Sequence, residues 1–389
     1  MRPYVLLVIV IAQFFCTSLW FAGNAVMGDL VHEMGLQADY LAHLTSAVQV
    51  GFITGTLVFA LLAIADRYSP SKIFFTCAVI AAVFNGLVGL DDINPWGLLL
   101  LRYMTGIFLA GIYPIGMKIA SDYSREGLGK SLGYLVGALV LGTAFPHLIK
   151  SFSLGLPWRF VMYGTSALST AGGIAMRWWV PDGPFRKAGQ RLQITAFLSG
   201  FRSDNFRAAA IGYFGHMWEL YAFWAFVPIM LSVFAANNPH QQVDVSLWSF
   251  IIIGFGSLAC VAGGFLAQKF GTKRVATISL GLSGMCCVVS PLVFTQPSSM
   301  VLFVFLFFWG LVVIADSPLF SSLIALFAPA ETRGTSLTIV NCLGFSITII
   351  SIQLLSYLMT RFDMNYLFVI LAIGPILGVV ALLRHEDAP

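Results

Sequence analysis

Apolar residues occupy this chain in long unbroken runs separated by short polar breaks. The runs fall at roughly 4–26, 40–64, 72–90, 96–119, 130–149, 158–180, 208–234, 245–267, 275–296, 299–327, 335–358 and 364–384, close to the ~20 residues a helix needs to cross a bilayer. They are continuous rather than alternating, as transmembrane helices require and a membrane β-barrel does not. The pattern predicts an all-α polytopic membrane protein with twelve transmembrane helices. The one long polar interruption, 181–207, divides the helices six and six. The predicted organisation is a six-helix bundle over 1–180, a linker over 181–207 and a second bundle over 208–389. Within the linker, 192–201 reads equally as a short amphipathic helix on the membrane surface or as a plain loop.

Composition and charge sharpen this picture. Of 389 residues, 58% are hydrophobic and 10% charged, a surface no soluble domain of this size presents. With the N-terminus inside, the cytoplasmic breaks collect Arg67, Lys72, Lys118, Arg125, Lys130, Arg177, Arg186, Lys187, Arg191, Arg202, Arg207, Lys269, Lys273, Arg274, Arg333 and Arg384. The outer ones hold Lys150, Arg159 and Arg361. This positive-inside bias predicts a multi-pass cell-membrane protein, in a bacterial inner membrane, with both termini cytoplasmic. The net charge of +4 therefore marks topology and not a nucleic-acid partner. The start, Met1-Arg2-Pro3, lacks a small-residue cleavage site before an apolar stretch that runs past Trp20, and reads as a retained first helix. Cys16, Cys77, Cys260, Cys286, Cys287 and Cys342 all fall in apolar runs without ligand spacing, as packing residues do. Catalytic triads and phosphate loops are absent, so neither an enzyme nor a cofactor is expected.

The two halves repeat. The break after run 2 reads Asp66-Arg67-Tyr68-Ser69-Pro70-Ser71-Lys72; 202 residues later, the break after run 8 reads Gln268-Lys269-Phe270-Gly271-Thr272-Lys273-Arg274. Gly106 and Pro114 of run 4 recur, offset by 204, as Gly310 and Pro318 of run 10. The second break, with Gly264, Gln268, Lys269, Gly271, Lys273 and Arg274, resembles the loop signature of the major facilitator superfamily (MFS), and the first is its degraded twin. Leu62 and Ser69 replace the two glycines, Pro70 replaces a basic residue, and Gln268 stands where an acid is common. The resemblance implies the twelve-helix MFS fold, a monomer, and a gating role for Asp66 with Arg67 at the cytoplasmic side, with Gln268, Lys269, Gly271 and Arg274 in the matching loop. It also implies that helices 1, 4, 7 and 10 line a central site.

Ionisable residues inside apolar runs carry the functional reading, because a charge at mid-bilayer costs at least ~2.5–3.5 kcal/mol unless it faces protein or water. Arg102 sits in run 4, His216 and Glu219 in run 7, and Asp316 in run 10. Gly212, Gly215 and Ala222 flank Glu219 and would leave room around it. Run 1 has no charge, but Gln13, Thr17, Trp20 and Asn24 are spaced 4, 3 and 4, one stripe of a helix. Tyr113 shares a face with Arg102 by the same spacing. Each has a plainer alternative: Glu219 as an ion-pair partner of Arg102, Asp316 as a cap for groups freed by Pro318, His216 as a packing residue, Arg102 snorkelling outward. The spacing His216-x-x-Glu219 is half a metal site with no second cluster, so no metal is expected.

The sequence thus predicts a proton-coupled secondary active transporter of a small organic solute, working by alternating access. Glu219, Asp316 and His216 would couple to protons, and Arg102, Gln13, Trp20, Asn24 and Tyr113 would contact the solute. Helix 5 shows Gly133, Gly137, Gly142 and Pro146 without an adjacent Gly-Pro pair, so direction is open. The alternatives are a uniporter or lipid-type flippase whose charges serve only gating, and a non-transporting membrane sensor. Partners are the solute, protons and the lipid bilayer.

Overall fold

The computed structural model describes residues 3–37, 39–123, 128–153, 155–186, 200–329 and 333–384. Arg125, Lys187, Arg191 and linker positions 192–199 lie outside the described residues, as does the side chain of Lys130. Among the described residues every regular element is helical. Helix starts follow local chemistry: Asn94, Ser203, Asp244 and Ser298 each offer a side-chain oxygen to a backbone N–H of the first turn, a cap stabilising by about 1 kcal/mol.

The chain forms two units, Met1–Arg191 and Leu192–Pro389. In the first, α1 is Pro3–Thr17, continued past a turn by Ala22–Ala25; α2 is Tyr40–Leu61, α3 Pro70–Leu87, and α4 Pro95–Leu109 then Tyr113–Asp122. Leu128–Phe152 is α5 and Arg159–Trp179 is α6. In the second, α7 is Asp204–Asn237, α8 Val245–Gly254 then Gly256–Phe270, α9 Thr272–Phe294, and α10 Ser299–Ala315 then Ser317–Phe327. Arg333–Met359 is α11, and α12 runs Met364–Leu367, Phe368–Ala372 and Ile373–Leu383. Ten of these rods are long and apolar enough to cross a membrane. The other two are α1, which is broken, and α6, whose polar residues dock it onto α3. There Asn85 donates to Thr165 and Ser166, and Ser169 donates to the Ala78 carbonyl.

The duplication extends to contacts. A Cβ on Gly106 would lie 2.1 Å from the Val48 carbonyl oxygen, and one on Gly310 would lie 2.2 Å from that of Ile252. Val48 and Ile252 are themselves 204 apart. Thus α4 closes on α2, and α10 on α8, through the same missing side chain. Small residues play this part in membranes because lipid supplies no hydrophobic drive and close backbone approach must supply dispersion instead.

The two signature loops differ for a conformational reason. Helix α8 runs to Phe270 and stops at Gly271, whose φ of 89° suits glycine. At the matching place Ser69 keeps an ordinary φ of −59°. The turn is made earlier instead: α2 ends at Leu61, Ala63 takes φ 50°, and a single helical turn, Ile64–Arg67, follows.

Candidate functional site

In unit 1 the organising group is Arg102, 1% exposed. Its Nη1 donates to Asn85 Oδ1 at 2.8 Å, and its Nη2 donates to the Leu19 and Trp20 carbonyls at 2.9 and 2.8 Å. Those carbonyls belong to the break in α1, residues 18–21, where the helix cannot satisfy them itself. Gly23 lies beside the guanidinium, where a Cβ would make only ordinary contact with Nε, at 3.4 Å. Snorkelling is therefore overturned: Asn85, Leu19 and Trp20 hold the guanidinium inside unit 1.

The break also corrects the polar stripe of α1. Thr17 donates to the Gln13 and Ala138 carbonyls, Asn24 donates to Thr45 Oγ1 at 2.8 Å, and the Trp20 ring packs on Phe52. Gln13 lies over Gly116 of α4, a position any Cβ would take from it. All four are buried, but Gln13 and Thr17 lie on the first piece of α1, Trp20 in the break and Asn24 on the second piece, so they do not form one continuous wall. Tyr113 is buried at the start of the second piece of α4. Sequence reasoning missed Gln49 on α2: it is fully buried, and neither polar atom of its amide has a hydrogen-bond partner, as for Gln13. The signal was Thr45, Gln49, Phe52 and Thr56, a second stripe spaced 4, 3 and 4.

Unit 2 buries two carboxylates and an imidazole. Glu219, near the middle of α7, has no exposed surface. Its Oε1 accepts from Trp309 Nε1 at 2.6 Å and from Cys287 Sγ at 3.3 Å, and its Oε2 accepts from Ser283 Oγ at 2.8 Å. The expected room around it is not there. Gly212 receives Phe320 of α10, Gly215 receives the backbone of α12 at Gly374, and the carboxylate is enclosed by α9 and α10. Cys287 is more than a packing residue, since its thiol is one of the three donors.

One turn back on α7, His216 Nδ1 stands 2.8 Å from Asp316 Oδ1, at ion-pair distance but off the line a hydrogen bond needs. Asp316 occupies the break in α10 ahead of Pro318, yet its side chain caps no backbone N–H, so capping is overturned. The Phe320 and Tyr213 rings flank the imidazole, at 5.9 and 6.2 Å. Removing one member of a buried ionic pair typically costs about 3–5 kcal/mol, because the other charge is stranded.

At the loops, Asp66 pairs with Lys118 of α4 at 3.4 Å, and Lys118 also approaches Asp122 at 3.8 Å. Arg186, from the start of the linker, donates to the Asp66 and Tyr68 carbonyls at 2.9 and 2.8 Å, and Ser69 donates to Asp182 at 2.7 Å. Arg67 is exposed, as are Gln268, Lys269, Gly271 and Arg274. At the opposite end of unit 1, Lys150 pairs with Asp29 at 2.7 Å, and Arg159 with Glu33 at 2.6 Å and Asp91 at 3.0 Å. The Trp158 indole and then the Arg159 guanidinium hold the Glu33 carboxyl below the usual range. Among the described residues no group of three or more His, Cys, Asp or Glu could hold a metal.

Two six-helix units with matched glycine contacts, broken helices and charges buried in apolar helices define a polytopic membrane protein. The chain belongs to the Major Facilitator Superfamily, whose model matches residues 9–352 and again 209–389. A Corynebacterium glutamicum gentisate transporter is 27% identical over 177 residues, covering 41% of this chain and 37% of that protein. A Haemophilus influenzae protein described as a metabolite transport protein is 30% identical over 109 residues, covering 25% and 26%. The matches thus span well under half of each curated relative. The crystal structure of the human organic anion transporter MFSD10 superimposes with a TM-score of 0.75 over 98% of this chain and 100% of that one, at 13% identity, a likeness of fold.

Proposed function

We propose that this chain moves a small organic solute across the cell membrane by alternating access of 1–180 against 208–389, driven by protons carried in unit 2. The observation that carries the reading is the burial of Glu219, Asp316 and His216 along the seam of α7 and α10. An ionised carboxylate without water depends wholly on its fixed donors, whereas the protonated form tolerates dry packing. Neither carboxylate has exposed surface in this structure, so exchange with solvent accompanies an opening of unit 2. That link between proton content and conformation is what coupling requires.

On the unit 1 side, Gln13, Trp20, Asn24, Tyr113 and Arg102 are the proposed solute contacts. The Gln13 amide has no protein partner, while Arg102 is largely committed to Leu19, Trp20 and Asn85. The accompanying topology puts both termini, the linker and the loops at Asp66 and Gln268 on the cytoplasmic side, with Asp66 in the gate. The local likeness to a gentisate transporter makes small aromatic acids the first solutes to try.

The test uses purified protein in proteoliposomes with an imposed pH gradient and a panel containing gentisate, other aromatic acids, nucleosides and sugars. The wild type should accumulate at least one solute uphill. Glu219→Gln, which keeps the shape and cannot titrate, should lose about tenfold or more of that accumulation while downhill exchange continues; full uphill transport by the variant would refute the carrier role. The three donors around Glu219 favour one second reading, a uniporter or lipid-type flippase with charges used only for gating. Indifference of wild-type transport to the pH gradient would select it.

A further inference from the structure

The shell around Glu219 distinguishes its two oxygens. Oε1 faces the Trp309 indole N–H, which can only donate, and the Cys287 thiol. Any proton placed on Oε1 would point at a fixed N–H. Oε2 faces one group, the Ser283 hydroxyl, which both donates and accepts. That hydroxyl has a second acceptor within reach, the Leu280 carbonyl one turn back on α9, at 3.0 Å.

From this geometry we propose that Ser283 is a rotor that lets Glu219 exist in two protonation states without moving, with the exchangeable proton on Oε2. In the ionised state Ser283 donates to Oε2, and Oε1 keeps the indole and the thiol. When a proton arrives from solvent as hydronium, an O–H bond forms at Oε2 and water is released. The new O–H donates to Ser283 Oγ, and the serine proton swings to the Leu280 carbonyl. No covalent bond of Ser283 breaks, and every polar atom keeps a partner in both states. Trp309 and Ser283 are therefore positioning residues, the first fixing which oxygen stays an acceptor and the second accommodating the change. The idea rests on the proton-carrier reading above and adds the site of the proton and the residue that accepts from it.

The other titratable groups of the neighbourhood are Cys286 and Cys287 on α9, Asp316 on α10 and His216 on α7 itself, so assignment needs variants. The experiment is pH-difference infrared spectroscopy of the purified full-length protein, following the C=O stretch of protonated carboxyls. A band lost in Glu219→Gln and retained in Asp316→Asn is expected. Ser283→Ala should move that band to higher wavenumber, because the O–H loses its acceptor; Ser283→Thr should restore it, and Ser283→Cys, a weaker acceptor, should fall between. A band that Glu219→Gln removes but that is identical in Ser283→Ala, or in Ser283→Cys should the alanine variant not fold, overturns the rotor. Absence at every pH of any band sensitive to Glu219→Gln overturns it too. If the band behaves as expected while Glu219→Gln transports uphill normally, the rotor stands and the coupling reading fails.

Discussion

Unit 1 and unit 2 are copies of one six-helix plan that bury opposite charges and hold them differently. Unit 1 sinks a guanidinium into backbone: two carbonyls of a broken helix and one amide oxygen. Unit 2 sinks carboxylates among side chains: an indole, a hydroxyl, a thiol and an imidazole. A guanidinium stays charged under all ordinary conditions, and carbonyls fixed by the fold suit it in one state only. A carboxylate surrounded by hydroxyl and thiol rotors can be satisfied in two. On the proposed reading the buried charge of unit 1 is fixed, whereas unit 2 is the one that changes its charge.

The sharpest way to break that comparison is Arg102→Met. It strands three acceptors in a buried site, and we expect a loss of about 3 kcal/mol or more, read as a large drop in melting temperature of the detergent-solubilised protein. Little change would mean that the α1 break does not depend on Arg102. Next come the paired glycines. Gly106→Ala and Gly310→Ala should each cost about 1–3 kcal/mol and by similar amounts, because both alanines would press on a carbonyl. A silent Gly310→Ala beside a damaging Gly106→Ala would show that the two units do not share the contact.

The loops offer a smaller effect. Gly271→Ser forces a side chain to φ 89° and should cost about 1 kcal/mol. Ser69→Gly loses only the exposed bond to Asp182 and should cost less than half as much in the same melting assay. The smallest effect concerns Glu33. Its carboxyl is held below the usual range by Trp158 and Arg159, so it favours the folded state above the pH at which the unfolded carboxyl ionises. That contribution fades as pH falls through the lower folded value. Melting temperatures of wild type and Glu33→Gln should therefore differ slightly at neutral pH and converge in acid; a constant offset across that range would contradict the assignment.

What the sequence disclosed follows from which signals are local. A charge inside an apolar run is visible wherever it sits, so Arg102, Glu219, His216 and Asp316 stood out. The breaks in α4 and α10 could be placed because Pro114 and Pro318 interrupt the backbone ladder locally. The break in α1 could not, since Ser18, Leu19, Trp20 and Phe21 carry no breaker. What stabilises it is Arg102, more than eighty residues away. Partners were hidden for a related reason. Trp309 is one aromatic among several in its apolar run and Ser283 one small residue among many, and Cys287 reads as a packing residue, because sequence spacing fixes the face of a helix but not the rotation at which it meets its neighbour. Pro228 misleads in the other direction, lying inside α7 without ending it.

All six thiols are free and buried, Cys287 against a carboxylate and Cys16 and Cys260 against carbonyl oxygens. Burial in apolar surroundings makes such sulfurs poor nucleophiles. The natural protein thus comes close to a silent background for maleimide chemistry. A single cysteine introduced at an exposed position such as Tyr68 would take a fluorophore or spin label alone, leaving the donors around Glu219 as nature placed them.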